Sequence, residues 1–340
     1  MPHFCKLQIN SAPIIGEAVQ DMNCEVMDKT GMDMRKLLDQ KWWSEETVAV
    51  VTGANRGIGL EIVRQLACKG MTVVLTCRNE KNGLAAMKDL GEAGVGNVHF
   101  HILDVQSSQS VSDLAQWLKT MFGGLDILIN NAAVAGQGMN WEVMEKAGVD
   151  MRQLLFYGTS NETSVYDDES VTTCIDINYY GTKRVVKGLL SLLRESSYRP
   201  RIVNVSSLHG LLKMMPNPVL QKQLSDMDII SEEFLDSMLS QFLDDVKQKK
   251  NLEEKGWPTP FSAYKMSKIC MNAYTRLLAR ELCDKAYVNC IHPGYVRTGM
   301  TYDTGDLSPS EGAQNVVKLA LFPLGGPSGK YFIEKEISGF

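Results

Sequence analysis

Short apolar segments that alternate with amphipathic helical segments constrain the fold of this 340-residue chain more than any other feature. The apolar segments lie at residues 48–51, 72–76, 98–102, 125–129, 201–205, 287–291 and 331–333, with helical patterns at 58–69, 84–90 and 111–122. Nearly continuous Val, Ile and Leu segments are typical of parallel strands that are covered on both faces. Right-handed crossovers then predict an α/β fold, a doubly wound parallel sheet of the Rossmann type in a single domain.

Two stretches, at about residues 137–167 and 211–260, interrupt this alternation. Both follow a predicted strand and are longer than ordinary connections in such folds. We therefore expect two insertions at the carboxyl edge of the sheet, where ligands bind. The second contains an acidic amphipathic helix at residues 231–249. The insertions are predicted to wall and roof a pocket, with surface decoration as the alternative.

The first 46 residues lack this alternating pattern. They do not have the apolar stretch and basic start of a secretory signal, and their six acidic residues before Lys41 are atypical of an organelle transit peptide. We expect a partly ordered extension at residues 1–46, with a short helix at 32–40. The nucleotide-binding domain is predicted at residues 47–340, in a cytoplasmic protein.

Charge and composition exclude several classes of function. A net charge of −5 and a pI of 5.7 give no electrostatic reason to expect nucleic acid or an anionic membrane as a partner. No segment approaches the roughly 18 apolar residues that a membrane span requires. The eight cysteines form no CxxC pair, and the histidines show no metal-ligand spacing. We expect reduced cysteines and no metal site.

A glycine-rich segment, TGANRGIG at residues 52–59, joins the first predicted strand to the first helix. Gly53 permits a sharp turn, Gly57 lets the backbone approach a pyrophosphate, and Gly59 lets the helix pack against the sheet. The start of the helix offers free N–H groups and a positive dipole end to phosphates. The alternative is a tight loop without a ligand. We expect a dinucleotide to contact Gly53, Asn55, Arg56, Gly57, Ile58 and Gly59.

Arginines, and no acid, lie near the end of the second predicted strand. A cofactor without a 2′-phosphate is usually recognised by a carboxylate there, but this strand ends in the sequence TCR at residues 76–78. Arg78 and Arg56 can both reach the adenosine ribose, and a guanidinium binds phosphate in a bidentate manner. The sequence therefore predicts NADP(H). Asp104, next to Val105 after the third strand, either accepts from the adenine amine or caps a helix.

Tyr264 and Lys268 are four residues apart and so lie on one face of a helix. A ketone that accepts hydride also needs a proton, which a phenol with a pKa of about 10 gives slowly at neutral pH. A neighbouring ammonium group stabilises the phenolate and lowers that pKa. Ser207, just after the fifth strand, is placed to hydrogen-bond the substrate oxygen. These residues predict proton transfer to a carbonyl, although the spacing alone also fits a solvated helix face.

With three further motifs, the sequence resembles the short-chain dehydrogenase/reductase family. These motifs are NNAA at residues 130–133, INYYG at 177–181 and PGYVRT at 293–298. The resemblance covers residues 46–340, and the insertion between Ser207 and Tyr264 is similar to that of carbonyl reductases. The segments GWP at 256–258 and LFP at 321–323 are most similar to the branch of plant salutaridine reductase and menthone/neomenthol reductase.

The resemblance implies a role for each residue of these motifs. The implied catalytic residues are Tyr264 as acid and base, Lys268 on the nicotinamide ribose, Ser207 on the carbonyl and Asn178 in support of a water relay. The implied cofactor contacts are Asn131 beside the adenosine, and Pro293, Gly294, Val296 and Thr298 along the nicotinamide. One departure is Ala133, where the family usually has glycine. Its methyl group either crowds the cofactor or is tolerated, and we expect tolerance.

The motifs and the resemblance together predict an NADPH-dependent reductase of a bulky apolar ketone, a terpenoid or an alkaloid, in plant secondary metabolism. Relatives that reduce a conjugated C=C bond have lost the tyrosine, so Tyr264 favours ketone reduction. One alternative is an alcohol dehydrogenase that uses NADP+ and runs in reverse. Another is a cofactor-binding regulatory protein without turnover.

The pocket and the oligomeric state are predicted less directly. Candidate pocket residues are Val134, Met139, Leu208, Met214, Met215, Tyr295 and Met300, each of which also fits core packing. His209 either touches the substrate or is structural. In carbonyl reductases, which this chain resembles, an inserted helix covers the helix face through which many relatives dimerise. We therefore expect a monomer whose partner is a small-molecule ketone or alcohol.

Overall fold

The structure, a computed structural model, describes residues 41–136, 138–139, 164–165, 167–196 and 198–340. The helix predicted at 32–40 lies outside these residues, as does most of the insertion predicted at 137–167. The division at residue 46 into an extension and a domain stays a prediction. Trp42 already belongs to the core: its ring lies 3.7 Å from the Arg201 guanidinium and its indole N–H donates to the Leu321 carbonyl.

Ten strands occur in the described ranges, and eight of them form one sheet. In chain order they are β1 Val48–Val51, β2 Thr72–Cys77, β3 Val98–Ile102, β4 Ile127–Asn130, β5 Gly138–Met139, β6 Ser164–Val165, β7 Arg201–Val205, β8 Tyr287–His292, β9 Tyr331–Ile333 and β10 Glu336–Ser338. The sheet order is β10-β9-β8-β7-β4-β1-β2-β3, and β5 pairs only with β6. All neighbours in the sheet are parallel except β9 and β10.

Nine α-helices of the described chain surround this sheet. They are α1 Gly57–Ala67, α2 Glu80–Glu92, α3 Ser108–Phe122, α4 Asp168–Ile175, α5 Thr182–Leu189, α6 Pro218–Ser225, α7 Glu232–Lys247, α8 Ser262–Glu281 and α9 Pro309–Ala320. A π-helical turn, Asp176–Gly181, joins α4 to α5. The predicted doubly wound α/β fold is thereby confirmed, and the antiparallel edge strand β10 is an addition to it.

Both faces of the sheet are covered, which explains why its strands are apolar without interruption. In β1, Val48 and Val50 belong to the core on one face, and Ala49 and Val51 belong to the core on the other. Successive side chains of a strand point to opposite faces, so each residue of this strand is buried. The carboxyl ends of β1 and β4 meet where the strand order reverses, the usual ligand site of such a sheet.

Helix α7 of the second insertion packs on helices α4 and α8. Its Leu235, Leu239 and Phe242 are fully buried. Asp236, the residue after Leu235, accepts hydrogen bonds from the Tyr179 hydroxyl at 3.2 Å and from the Lys183 ammonium at 2.7 Å. The amphipathic pattern at residues 231–249 therefore predicted a helix correctly, and its apolar face covers other helices.

The expectation that this insertion roofs a pocket is wrong for most of its length. Only Leu211, Lys213 and Met214, at its start, line the main cavity, and no residue from 216–260 does. The reason is that α7 buries its apolar face against α4 and α8, which leaves it no apolar surface to offer to a ligand.

Candidate active site

A cavity of about 720 Å³ opens at the carboxyl edge of the sheet. Its walls come from the segments that follow β1, β2, β3, β4, β7 and β8, and from the start of α8. A concave site of this size at the reversal of strand order is typical of cofactor and ligand binding. Each catalytic or cofactor-binding residue predicted from the sequence lines this cavity, with the exception of Asn178.

The glycine turn lies very close to the end of β4. Gly53 and Gly57 have φ angles of +62° and +58°, which favour glycine. A Cβ atom on Gly53 would lie 2.8 Å from the Ala132 Cα, and one on Gly59 would lie 2.5 Å from the Asn131 side-chain nitrogen. Gly59 was expected to let α1 pack against the sheet. Its tightest contacts are instead with the turn itself and with Asn131.

Thr52 and Asn131 hold this turn to β4 by hydrogen bonds. The Thr52 hydroxyl accepts from the backbone N–H groups of Asn131 and Ala132, each at 3.0 Å. The Asn131 amide donates to the carbonyl oxygens of Thr52 and Gly53, at 2.9 and 3.1 Å. Asn131 lines the predicted adenosine side of the cavity, but its side-chain N–H groups donate to carbonyl oxygens of the glycine turn.

The start of α1 is suited to an anion. Arg56, at the N-cap position, has an extended backbone and makes no side-chain capping hydrogen bond, and the first turn has no acidic residue. The first N–H groups of an uncapped helix carry a partial positive charge. The residues present therefore fit the pyrophosphate of a dinucleotide.

Two exposed arginines line the adenosine end of the cavity. Arg56 and Arg78 make no ion pair with any carboxylate in the described part of the chain. Asp104 lines the cavity beside Val105 and accepts from the Gln106 backbone N–H at 3.0 Å. The alternative that Asp104 caps a helix is wrong, because Ser107 occupies the N-cap position of α3.

Tyr264 and Lys268 project from α8 into the cavity, and Ser207 faces them from the end of β7. The Lys268 ammonium lies 5.6 Å from the centre of the Tyr264 ring and donates to the Val205 carbonyl at 2.8 Å. The Ser207 hydroxyl accepts from the His209 backbone N–H at 3.2 Å and is hydrogen-bonded to Tyr264. The structure thus brings the three predicted residues together.

Burial is the main influence on the pKa values of Tyr264 and Lys268. It raises the pKa of Tyr264 to about 12, although the hydrogen bond from Ser207 acts in the opposite direction. It lowers the pKa of Lys268 to about 8. In the protein alone the net shift of the Tyr264 pKa is therefore upward, because loss of hydration is its largest cause, and a lowering of that pKa by Lys268 stays a prediction.

Asn178 lies in the π-helical turn and is fully buried. Its side-chain oxygen accepts from the Val134 N–H at 2.9 Å, and its nitrogen donates to the Val134 carbonyl at 3.0 Å and to the Ser267 hydroxyl at 3.0 Å. Asn178 thus ties the segment after β4 to α8 and does not line the cavity. Its implied part in a water relay stays a prediction.

The segment after β8 forms the wall predicted to face the nicotinamide. Gly294 has a φ angle of +103°, and a Cβ atom there would lie 2.3 Å from Leu307. The Asn315 amide of α9 donates to the Pro293 carbonyl at 3.1 Å. Val296 and Thr298 line the cavity further along. Asn315 supports this wall from a distant helix, and no motif in the sequence indicated it.

Comparison with known proteins decides the family. The sequence model described as short chain dehydrogenase matches residues 47–219. The chain belongs to the short-chain dehydrogenase family. Members of this family are oxidoreductases that use nicotinamide cofactors.

Plant reductases are among the relatives of this short-chain dehydrogenase. It is 43% identical over 300 residues to the salutaridine reductase of Papaver bracteatum, across 86% of this chain and 96% of that protein. It is 41% identical over 307 residues to a (+)-neomenthol dehydrogenase of Capsicum annuum, across 86% and 97%. The solved structure of salutaridine reductase from Papaver somniferum has a TM-score of 0.77 at 42% identity and covers 84% of this chain and 99% of its own. The predicted resemblance is confirmed.

The end of the cavity that is predicted to bind the substrate of this short-chain dehydrogenase is mainly apolar. Of the candidate pocket residues, Val134, Leu208, Met214, Tyr295 and Met300 line it. Met215 does not, because it is buried in the core, and the side chain of Met139 lies outside the described residues. His209 lines the cavity with its ring 5.8 Å from that of Tyr264 and 5.7 Å from that of Phe261.

His292 and Phe261 also line this end and were not predicted. His292 is at the carboxyl end of a strand, directly before Pro293, and this position in the sequence could have indicated that it lines the cavity. Phe261 gave no such signal, because it depends on a left-handed backbone (φ +62°) before α8. Among the described residues, no group of three side chains has the geometry of a metal site, and no helix is long and apolar enough to cross a membrane.

The buried ammonium of Lys268 predicts a gain of stability on its removal. In the unfolded chain Lys268 titrates near 10.5, but in the folded protein near 8, so the unfolded state binds more protons between these values and stability rises with pH there. Lys268→Met should therefore raise the free energy of unfolding by about 1–3 kcal/mol at pH 7. The gain should shrink towards pH 10, as measured by denaturant unfolding across pH.

The matched control is Lys222→Met, at an exposed position of α6, which should show no pH-dependent gain. If Lys268→Met instead lowers stability equally at every pH, burial of the charge is not the dominant effect at this position.

Proposed function

We propose that this chain is an NADPH-dependent carbonyl reductase that converts a bulky apolar ketone, of the terpenoid or alkaloid type, to the alcohol. The observation that carries the proposal is the convergence of Tyr264, Lys268 and Ser207 in the same cavity as the glycine turn. The names of the relatives, salutaridine reductase and (+)-neomenthol dehydrogenase, support the substrate class.

The adenosine end supports NADP(H) as the cofactor. Arg56 and Arg78 are exposed and make no ion pair within the described residues, so both guanidinium groups are available to a 2′-phosphate. The turn at Gly57 and the uncapped start of α1 would hold the pyrophosphate. Pro293, Gly294, Val296 and Thr298 would lie along the nicotinamide, which supplies a hydride when it is bound.

Tyr264 would give the proton to the substrate oxygen. With a pKa raised to about 12 by burial, its phenol is protonated at neutral pH and is ready to donate. The Ser207 hydroxyl accepts from the His209 N–H and is hydrogen-bonded to Tyr264, and when a ketone is bound it would donate its proton to the substrate oxygen instead. The Lys268 ammonium, 5.6 Å from the Tyr264 ring, would stabilise the tyrosinate that remains.

The same residues would serve oxidation of an alcohol by NADP+. A protonated Tyr264 is a proton donor, however, whereas oxidation would require tyrosinate as a base. We propose reduction as the direction because Arg56 and Arg78 would select the phosphorylated cofactor, NADP(H), whose cellular pool is mainly reduced. A cytoplasmic location stays a prediction from the sequence.

Tyr264→Phe should lower kcat for ketones by about 10²–10⁴-fold, because it removes the proton donor. NADPH absorbance should be followed against monocyclic monoterpene ketones, morphinan-type ketones and simple aldehydes. NADPH affinity, measured by fluorescence titration, should be retained. Tyr274→Phe is the matched control: Tyr274 lies on the same helix, is buried outside the cavity and should keep full activity. A wild-type rate for Tyr264→Phe would refute the mechanism.

Arg78→Ala should raise the KM for NADPH by about 10–100-fold, because a charge-assisted hydrogen bond to the 2′-phosphate is lost. The KM for NADH should not change, so the ratio of the two is the readout. Adding Arg56→Ala should enlarge the effect. Arg64→Ala, which removes an arginine of α1 that does not line the cavity, is the control. Equal changes for both cofactors would exclude a 2′-phosphate site at Arg78.

We also propose that the protein is a monomer. Helix α7 covers helix α8 with its buried Leu235, Leu239 and Phe242, and so covers the helix face that the resemblance to the family implied for dimerisation. Light scattering at micromolar concentration should give the mass of one chain, 37.8 kDa. Twice that mass would mean that another surface mediates assembly.

A further inference from the structure

We propose that His292 determines substrate specificity by hydrogen-bonding a second oxygen atom of the substrate, separate from the carbonyl that reacts. The inference rests on the proposed reductase function and concerns the same cavity. It implies that the natural substrate is an oxygenated ketone, a hydroxyketone or a diketone, within the bulky apolar class.

His292 is polar, but it has no role in the proposed reaction. It is the last residue of β8, is half-buried and lines the cavity. Its imidazole makes no hydrogen bond to any residue in the described ranges, although its backbone carbonyl accepts from the Glu334 N–H at 2.9 Å. Where polar side chains are buried, they almost always have a hydrogen-bond partner, either in the protein or in water. A ligand in the cavity is the partner that the position offers.

The chemical state of this ring indicates the kind of partner. Burial, and after it the nearby His209, lowers the pKa of His292 to about 4, so the imidazole is neutral at physiological pH. A neutral imidazole has one N–H donor and one nitrogen acceptor. It therefore suits a hydroxyl or a carbonyl, and it offers no positive charge to a carboxylate.

A second buried group without a partner lies on the neighbouring strand. The Tyr331 hydroxyl is fully buried and has no hydrogen-bond partner among the described residues. Tyr331 lies opposite Cys290 in the pairing of β8 with β9, and His292 is two residues further along β8, so both side chains are on the same face of the sheet. Tyr331 also packs with Leu211, which lines the cavity.

The side chains of His292 and Tyr331 are polar, whereas the rest of the predicted substrate end is mainly apolar. Leu208, Met214 and Val134 give the cavity apolar walls. A ketone without other oxygen atoms would pack against these apolar side chains and hydrogen-bond to the hydroxyl groups of Ser207 and Tyr264. It would leave the imidazole without a partner. A second oxygen atom of the substrate, close to His292, would form a hydrogen bond with the imidazole. Discrimination by such a group is stronger than discrimination by apolar contact alone.

The test uses pairs of cyclic ketones in which a hydroxyl group replaces a methyl group, namely the hydroxycyclohexanones and the methylcyclohexanones. For at least one position of the substituent, kcat/KM should favour the hydroxyl compound by about tenfold, as one hydrogen bond provides. In His292→Leu this ratio should fall to about one, mainly through KM. His292→Asn keeps a donor and an acceptor and should retain part of the preference.

His99→Leu is the matched control, since His99 lies on β3 and does not line the cavity, so the variant should keep the wild-type ratio. Equal kcat/KM within every pair would overturn this inference alone, and so would an unchanged preference in a folded His292→Leu. Absence of turnover with every ketone would overturn the proposed function and this inference with it.

Discussion

The close approach of the glycine turn to the end of β4 is the constraint on which the site depends. Side-chain hydrogen bonds of Asn131 and Thr52 hold the two segments together, and Gly53 has no room for a side chain against Ala132. Only in this arrangement do the uncapped N–H groups of α1 face the same cavity as the ends of β7 and β8. The turn therefore positions the phosphate end relative to Tyr264.

Much of the fold was predictable from the sequence, because a strand that is buried on both faces has apolar residues at nearly every position. Segment 48–51 is an example, with alternate side chains in two separate cores. Strand β10 was not predictable, because its three residues, Glu336–Ser338, lie at the sheet edge and carry no such pattern. For α7, the pattern identified the apolar face but could not identify the helices that it covers.

The candidate site was predictable where residue type and position at a strand end coincide, as for Ser207 and Arg78. Properties that depend on tertiary packing were not. The direction of the pKa shift of Tyr264 follows from how far it is buried, which its spacing from Lys268 does not reveal. Likewise, the sequence gives no sign that the Asn178 amide is used by Val134 and Ser267 and so faces away from the cavity.

Burial acts on Tyr264 and Lys268 in opposite directions but favours the neutral form of each. Without substrate, the phenol therefore holds its proton firmly, and the ammonium gives its proton up more readily than a solvated lysine would. In the proposed reaction, a carbonyl oxygen would gain negative charge beside Tyr264, and transfer of the phenolic proton would leave a tyrosinate near Lys268. That negative charge would in turn stabilise the protonated lysine, so each group would support the charged form of the other only while the proposed reaction proceeds. The low polarity that destabilises both charges in the resting protein also strengthens their attraction once both are present.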